Sequence, residues 1–242
     1  MYIDAHVHCV ELESLSSIDS DILAVCVADD LASSMKTLEI SEKYKNIIPC
    51  IGVHPWVIHE HSLNETRGFI EDTLKNHDVK CLGEVGLDKK FRAETFDKQV
   101  EFFKLFIEYA KEYNLVLNLH AAGAWREVFN LVYHSGIDKA YFHWYTGPLD
   151  LLKDITSIGY LIGINAALEI QEKHRSVVEH VDLKYILTES DAPYEYRGLK
   201  LTPGHVKKLV ALIAGIKGID VEVVKSTILG NFEEFYGFKK SR

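Results

Sequence analysis

Three features that define other protein classes are missing from this sequence of 242 residues. No apolar run approaches the ~20 residues that a helix needs to cross a bilayer. The N-terminal stretch lacks the basic region and apolar core of a secretory signal. Glycine and proline are few, at 15 and 5 residues, which argues against collagen-like or disordered chains. These absences predict a globular protein without a membrane segment, located in the cytoplasm.

The cysteines and the charge balance exclude further classes. The four cysteines form no C-x-x-C pair, and three of them lie in apolar, strand-like runs. We therefore expect free, buried thiols in a reducing compartment. The formal charge of −9 argues against non-specific binding of nucleic acid over a broad surface. A phosphate substrate stays open, because bound divalent ions would reverse the local sign.

Short apolar runs alternate with segments of helical period along the whole chain. The eight runs expected to be strands are Tyr2–His8, Ile22–Ala28, Ile47–Val53, Lys80–Glu84, Leu115–His120, Ala140–His143, Tyr160–Ile164 and Tyr185–Glu189. Their continuous apolar character suits parallel strands covered on both faces. The clearest helix is Phe96–Tyr113 with Thr95 as its N-cap, and Thr202-Pro203 and Asp220 are expected to begin two later helices. Eight strand–helix units predict an α/β fold, a (β/α)8 TIM barrel forming one domain over residues 1–242.

Six side chains of metal-binding type lie at the ends of these runs. In chain order they are His6, His8, Glu84, His120, His143 and Asp191. Residues i and i+2 of a strand point to the same face, so His6 and His8 are predicted to bind one ion together. Barrel enzymes keep their chemistry at this end of the strands. A second H-x-H, His59-Glu60-His61, lies in a polar stretch and is interpreted as a solvated loop.

Three carboxylates at or just beyond strand ends are predicted to have separate roles in the site. Glu84 is costly to bury unless it is paired or bound to metal, and Gly83 and Gly86 beside it permit close approach of the backbone. Asp88 is interpreted as a structural or supporting group. Asp191 follows the last strand, where a carboxylate can bind an ion and accept a proton from a bound water.

Several short motifs recur in the order known from one family. They are Ile3-Asp4-Ala5-His6-Val7-His8, Gly52-Val53-His54-Pro55, Gly83-Glu84-Val85-Gly86-Leu87-Asp88, Leu119-His120, His143 with Gly147, Glu189-Ser190-Asp191-Ala192-Pro193-Tyr194, and Gly230-Asn231-Phe232 through Phe235-Tyr236-Gly237. With these motifs the chain resembles, from end to end, the TatD family of metal-dependent deoxyribonucleases, within the amidohydrolase-like barrels. The resemblance implies a TIM barrel of the metal-dependent hydrolase type.

The resemblance also implies a role for each motif residue. His6, His8 and Asp191 would hold one divalent ion, His120 and His143 would hold a second, and Glu84 would bridge them. His54 would contact the substrate phosphate. The implied reaction is hydrolysis of DNA phosphodiester bonds by a hydroxide that the two ions activate, with Asp191 and Glu84 as catalytic residues. Imidazole-rich ligation favours Zn, Mn, Fe or Ni, whereas the family often works with Mg or Mn.

The chain departs from the family pattern where the substrate would bind. Family members usually follow the fifth-strand histidine with Ser-Arg, whereas His120 is followed by Ala121-Ala122. The usual Cys-Phe-Ser-Gly after the next histidine is replaced by Trp144-Tyr145-Thr146-Gly147. Arg197 and Arg126 are candidate replacements for the missing arginine, and Arg197 is the predicted substrate contact.

Three functions are compatible with these residues. The leading hypothesis is a nuclease acting on nucleic acid or on a small phosphodiester, with no membrane association and no stable protein partner. The same barrel could instead hydrolyse an amide, a lactone or an ester, since the Ser-Arg pair is absent. A non-catalytic barrel would have lost ligands, and none of the six is missing. The PHP phosphoesterases share a similar opening motif, but the later motifs match TatD.

Overall fold

Strands and helices alternate along residues 1–237, the part of the chain that this computed structural model describes. The strands are β1 Tyr2–Val7, β2 Ile22–Val27, β3 Ile47–Ile51, β4 Cys81–Gly86, β5 Val116–His120, β6 Ala140–Phe142, β7 Leu161–Ile164, β8 Ile186–Thr188, β9 Glu195–Tyr196 and β10 Leu199–Lys200. The α-helices are α1 Leu31–Lys43, α2 Leu63–Asn76, α3 Phe96–Tyr113, α4 Trp125–His134, α5 Leu149–Ser157, α6 Glu172–His180, α7 His205–Lys217 and α8 Val221–Tyr236. No helix among these residues is long and apolar enough to cross a membrane.

The first eight strands form one sheet in the order β1 to β8. The paired strands run parallel, and helices connect most successive strands. This topology confirms the predicted (β/α)8 barrel. The eight strand predictions are confirmed with ends that agree within two residues. Burial of both faces explains why these strands are apolar throughout instead of alternating.

Two of the three helix starts are as expected. Helix α3 spans Phe96–Tyr113 with Thr95 at the N-cap position, although the Thr95 hydroxyl does not cap the helix. The Asp220 side chain accepts a hydrogen bond from the first turn of α8. The start at Thr202-Pro203 is wrong, because these residues form a turn in which the His205 N–H donates to the Thr202 carbonyl. Helix α7 therefore begins at His205.

The chain divides into two compact units, Met1–Cys26 with His143–Arg242, and Val27–Phe142. In the first unit, β8 is fastened to β1 by the Thr188 hydroxyl, which donates to the Ile3 carbonyl at 2.6 Å. In the second, the Gln99 side chain on α3 accepts from the backbone N–H of Asp88, just beyond β4. One domain over residues 1–242 stays a prediction, and residues 238–242 lie outside the described part.

The cysteines are buried, as expected, but they are not free thiols. Cys9 is bonded to Cys26 in the first unit and Cys50 to Cys81 in the second, with Cα atoms 5.4 and 4.5 Å apart. Cys50 and Cys81 occupy opposed positions on adjacent strands, which brings them within disulfide reach. The prediction of free thiols is therefore wrong, and the cytoplasmic location inferred partly from it stays a prediction.

Gly86 gives the first testable consequence of the fold. Its φ is +145°, a conformation that side chains rarely adopt, and an added Cβ would collide with the His120 carbonyl oxygen. We expect Gly86→Ala to lower the free energy of unfolding by at least about 2 kcal/mol, measured by urea denaturation. The matched control is Gly68→Ala on the exposed side of α2, where an added Cβ meets nothing within 4 Å. That change is expected to be stabilising, by about 0.5–1 kcal/mol. Equal stability of the two variants would contradict this account.

Candidate metal-binding and active site

One group of metal-binding side chains lies in the first unit, at the carboxyl ends of β1 and β8. The Nε2 atoms of His6 and His8 are 3.3 Å apart, and each lies 3.5 Å from Oδ1 of Asp191. His8 lies one residue beyond β1, and its ring comes together with that of His6, as predicted. Two nitrogens and a carboxylate oxygen thus converge in a largely buried position. This donor set fits a divalent cation of intermediate softness.

The backbone beyond β8 is shaped to present Asp191. Its φ is +54°, in the left-handed region that is uncommon for a residue other than glycine. The Asp191 N–H donates to the His6 carbonyl at 2.9 Å. The Ser190 N–H donates to Asp4 at 2.8 Å. Burial raises the pKa of Asp4 to about 7, although the hydrogen bonds from Ser190 act in the opposite direction. These contacts hold the segment after β8 against β1 and so fix where the Asp191 carboxylate points.

His143 joins this group through a carboxylate that the sequence reasoning did not select. Its ring stacks on His6 with centroids 4.0 Å apart, and its Nδ1 lies 3.3 Å from Oε1 of Glu189. Glu189 is fully buried and also accepts from the Trp144 N–H at 2.8 Å. His143, Glu189 and His6 thus form another buried set of side chains that could hold a metal ion. A carboxylate closing an apolar strand, the signal that identified Glu84, would have identified Glu189 as well.

The second group lies in the second unit, at the carboxyl ends of β4 and β5. Oε1 of Glu84 is 2.6 Å from Nδ1 of His120 and 3.5 Å from Nε2 of His54. All three residues are buried. Nδ1 of His54 accepts the Trp56 N–H at 3.2 Å, and burial lowers the pKa of His54. The neutral ring therefore carries its proton on Nε2, which makes this atom a hydrogen-bond donor.

His120 lies between two carboxylates. Its Nε2 is 3.1 Å from Oδ2 of Asp88, which also accepts from the Trp56 indole at 2.6 Å. Burial alone would lower the pKa of His120, but Glu84 and Asp88 outweigh it and raise the pKa to about 9. Burial alone would raise the pKa of Asp88. Its hydrogen bonds outweigh burial and lower the pKa of this carboxyl to about 2. Asp88 thus orients His120, in line with its predicted supporting role.

His174 on α6 holds two loops of the first unit, those that follow β6 and β7. Its Nε2 accepts the Asn165 N–H at 3.0 Å, so its Nδ1 donates to the Tyr145 carbonyl at 3.1 Å. Asn165 follows β7 and Tyr145 follows β6, so one imidazole ties two of the loops at the carboxyl ends of the strands. Burial lowers the pKa of His174 to about 4. Nothing in the local sequence marks this residue, because both partners are backbone groups distant along the chain.

The low pKa of His174 makes stability depend on pH. The folded pKa of about 4 lies below the ordinary value of 6.5, so the unfolded chain binds a proton first as pH falls. The stabilising effect is complete above pH 6.5 and is lost progressively toward pH 4. We expect the parent protein to lose about 2–3 kcal/mol more than His174→Gln between pH 7 and pH 4.5. Urea unfolding at the two pH values measures this difference, and equal losses would contradict it.

The other candidate residues lie in exposed positions. Arg197 is exposed at the turn between β9 and β10, with its guanidinium 5.3 Å from the centre of the Tyr196 ring. Arg126 is exposed on α4. His59 is exposed and pairs with Glu60 at 3.6 Å, which is compatible with a solvated segment. Another arginine, Arg92, was not selected from the sequence. Its guanidinium lies 5.4 Å from the centre of the Trp56 ring, beside the second group.

The described residues therefore assemble the six predicted ligands into two local sets. His6, His8, His143 and Asp191 lie together in the first unit, whereas Glu84 and His120 lie together in the second. The roles given to individual ligands, including a second ion shared by His120 and His143 and a bridging Glu84, stay predictions.

Comparisons with known proteins bear on the family and on the fold. A family model described as TatD related DNase matches residues 3–237. An uncharacterized metal-dependent hydrolase from Methanocaldococcus jannaschii is 32% identical over 247 residues, spanning 97% of this chain and 96% of that protein. The human deoxyribonuclease TATDN3 is 28% identical over 222 residues, spanning 84% of this chain and 79% of that protein. A crystal structure of a TatD homologue from Escherichia coli K12 matches with a TM-score of 0.90 at 20% identity, covering 98% of each chain.

Proposed function

The chain belongs to the TatD related DNase family, and from this premise we propose that it is a metal-dependent hydrolase that cleaves phosphodiester bonds of DNA. The observation that carries the proposal is the buried convergence of His6, His8 and Asp191 at one end of β1 and β8. Family membership supplies the reaction class. The relative described as a deoxyribonuclease favours a phosphodiester bond, and the one described as a metal-dependent hydrolase favours hydrolysis with a metal.

We propose two divalent ions as cofactors, drawn from Zn, Mn, Mg, Fe and Ni. His6, His8 and Asp191 would hold one of them. Glu84 and His120 would contribute to the other. Bound there, the ions would supply Lewis acidity and lower the pKa of water. The nitrogen-rich first set favours Zn, Mn, Fe or Ni over Mg on softness.

Asp191 and Glu84 are the proposed catalytic carboxylates. Asp191 would accept the proton of the attacking water, since its second carboxylate oxygen need not be a ligand. Glu84 would stay ionised beside His120, whose Nδ1 lies 2.6 Å from the Glu84 Oε1 atom. Glu189 would keep His143 in the orientation in which Nε2 faces away from the carboxylate. These carboxylates would repel a phosphate, so substrate binding would require the cations.

His54 and Arg197 are the proposed substrate contacts. His54 carries its proton on Nε2, as its hydrogen bond from Trp56 requires. It would donate this proton to a phosphate oxygen in place of Glu84, which lies 3.5 Å from Nε2. Arg197 is exposed and positively charged, which suits a more distant phosphate of the same strand. A neutral histidine donor beside ligand residues contributes orientation without adding a fixed charge.

A second candidate function rests on the rim after β5. His120 is followed by Ala121, which is buried, and Ala122, so this position offers no cation for a phosphate. A less charged substrate, such as an amide, a lactone or a carboxylic ester, would fit that change. The metal ligands would have the same roles in this reaction.

A substrate panel on metal-loaded protein separates these functions. Metal content is measured first by elemental analysis, and hydrolysis is then followed for single-stranded DNA, a small phosphodiester, a lactone and an N-acyl amino acid. We expect at least one ion per chain and hydrolysis of the two phosphodiesters. Hydrolysis of the lactone or the amide alone would favour the second function. Metal content well below one ion per chain after loading, with no hydrolysis, would overturn both.

A further inference from the structure

Three aromatic rings cluster beside the first ligand group. The Trp144 ring lies edge-to-face with Tyr194 and with Tyr196, at centroid distances of 5.9 and 5.2 Å. Trp144 immediately follows His143, and the Tyr194 N–H donates to the Asp191 carbonyl at 3.0 Å. The cluster therefore stands directly next to two of the proposed ligand residues.

Polar contacts hold these rings in place. Gln171 accepts from the Trp144 indole at 3.1 Å and donates to the Tyr196 hydroxyl at 3.3 Å. Tyr196 ends β9, and Arg197 and Gly198, with φ of +51° and +83°, form the tight turn to β10. A hairpin and a bridging amide thus fix the rings before any ligand arrives, which lowers the entropy that binding must overcome.

The rings are more exposed than a purely structural cluster requires. The Tyr194 side chain is 46% exposed, and Trp144 and Tyr196 are only partly covered. An aromatic ring contributes most to stability when it is buried, so an exposed group of three is a candidate contact surface. Arg197 places a positive charge over the Tyr196 ring at 5.3 Å. Aromatic faces beside a cation match a chain of bases and phosphates.

We propose that Trp144, Tyr194 and Tyr196 form a stacking platform for an unpaired nucleobase next to the scissile phosphodiester, with Arg197 on a neighbouring phosphate. This inference rests on the proposed function and adds to it a site that holds one base of the substrate. Stacking on a protein ring requires a base whose face is free, and bases inside a duplex cover each other. Every base has such a face, so the platform selects strandedness more than sequence.

The platform is tested by comparing the binding of two oligonucleotides, one with bases and one without. Metal-loaded protein is titrated with a hydrolysis-resistant phosphorothioate oligothymidylate and with a tetrahydrofuran (abasic) oligonucleotide of equal length and charge, and Kd is measured by fluorescence anisotropy. We expect the parent to bind the thymidylate about five- to a hundredfold more tightly. Tyr194→Ala and Tyr196→Ala are each expected to remove much of this preference. Tyr196→Phe keeps the ring and is expected to retain it.

Tyr185 offers a matched control in the same unit. It is a partly exposed tyrosine with a cation, Lys184, 4.8 Å from its ring centre, but it precedes β8 instead of following it. Tyr185→Ala is expected to preserve the preference for bases. Equal binding of the two oligonucleotides by the parent, or an unchanged preference in both alanine variants of the platform, would overturn the proposal.

Hydrolysis is measured separately, so that the two proposals can fail independently. Cleavage of ordinary phosphodiester versions of both oligonucleotides reports the proposed function. Base-dependent binding without any cleavage would support the platform and contradict the phosphodiesterase. Cleavage of both versions without base-dependent binding would do the reverse.

Discussion

The Asp191→Asn variant is expected to hydrolyse single-stranded DNA at least about a hundredfold more slowly than the parent protein, because asparagine cannot accept the proton of the attacking water. The side chain keeps its size and one carbonyl oxygen toward His6 and His8. We therefore expect the first ion to be restored by raising the metal concentration. The measurement is the single-turnover rate at saturating metal, with metal content determined on the same sample.

A surface aspartate of the same unit provides the control. Asp182 is exposed in the segment before β8, and Asp182→Asn is expected to leave the rate within about twofold of the parent, as is usual for surface changes. If Asp191→Asn retains its metal and hydrolyses DNA at the parent rate, its assignment as proton acceptor is wrong.

The Glu84→Gln variant is expected to bind metal in the second ligand group at least about tenfold more weakly, because it loses an anionic oxygen that is 2.6 Å from His120. In metal-free protein the same change removes the partner that helps raise the pKa of His120 to about 9. Breaking such a buried pair costs about 3–5 kcal/mol of stability. Calorimetric metal titration and urea unfolding give the two quantities.

The exposed pair of His59 and Glu60 supplies the matched comparison. Their charged atoms are 3.6 Å apart, and both side chains are well exposed. Glu60→Gln is expected to change the free energy of unfolding by less than about 1 kcal/mol and to leave metal affinity unaltered. A Glu84→Gln variant that behaves like Glu60→Gln would show that burial of the carboxylate has no role in metal binding.

Much of the fold could be predicted, because apolar runs of strand length are a local property of the chain. The ends of β5 and β8 were located within one residue, and with them the positions of His120 and Asp191. The pairing of His6 and His8 was predicted from strand alternation, although His8 lies one residue beyond β1. The start of α7 was misplaced because Thr202-Pro203 suits a turn as well as a helix start, and local preference does not separate the two.

Contacts between residues distant in sequence were beyond this reasoning. The disulfide partners are determined by which strands lie side by side and in which register. Glu189 was passed over in favour of Asp191, two residues later, although both lie beside histidines proposed as ligands. His174 was not recognised, because its partners are the backbone groups of two other loops.

The sequence by itself determined the fold class, the family and the six proposed ligand residues at the strand ends, because hydrophobic period and residue chemistry are encoded locally. Only the tertiary structure decided which side chains lie together: Glu189 with His143, His54 with Glu84, and the partly or fully exposed rings of Trp144, Tyr194 and Tyr196 beside Asp191. The physical reason is that distances between side chains depend on strand register and on the backbone angles of individual loop residues. The left-handed conformation of Asp191 is one such angle, and no pattern of residue types specifies it.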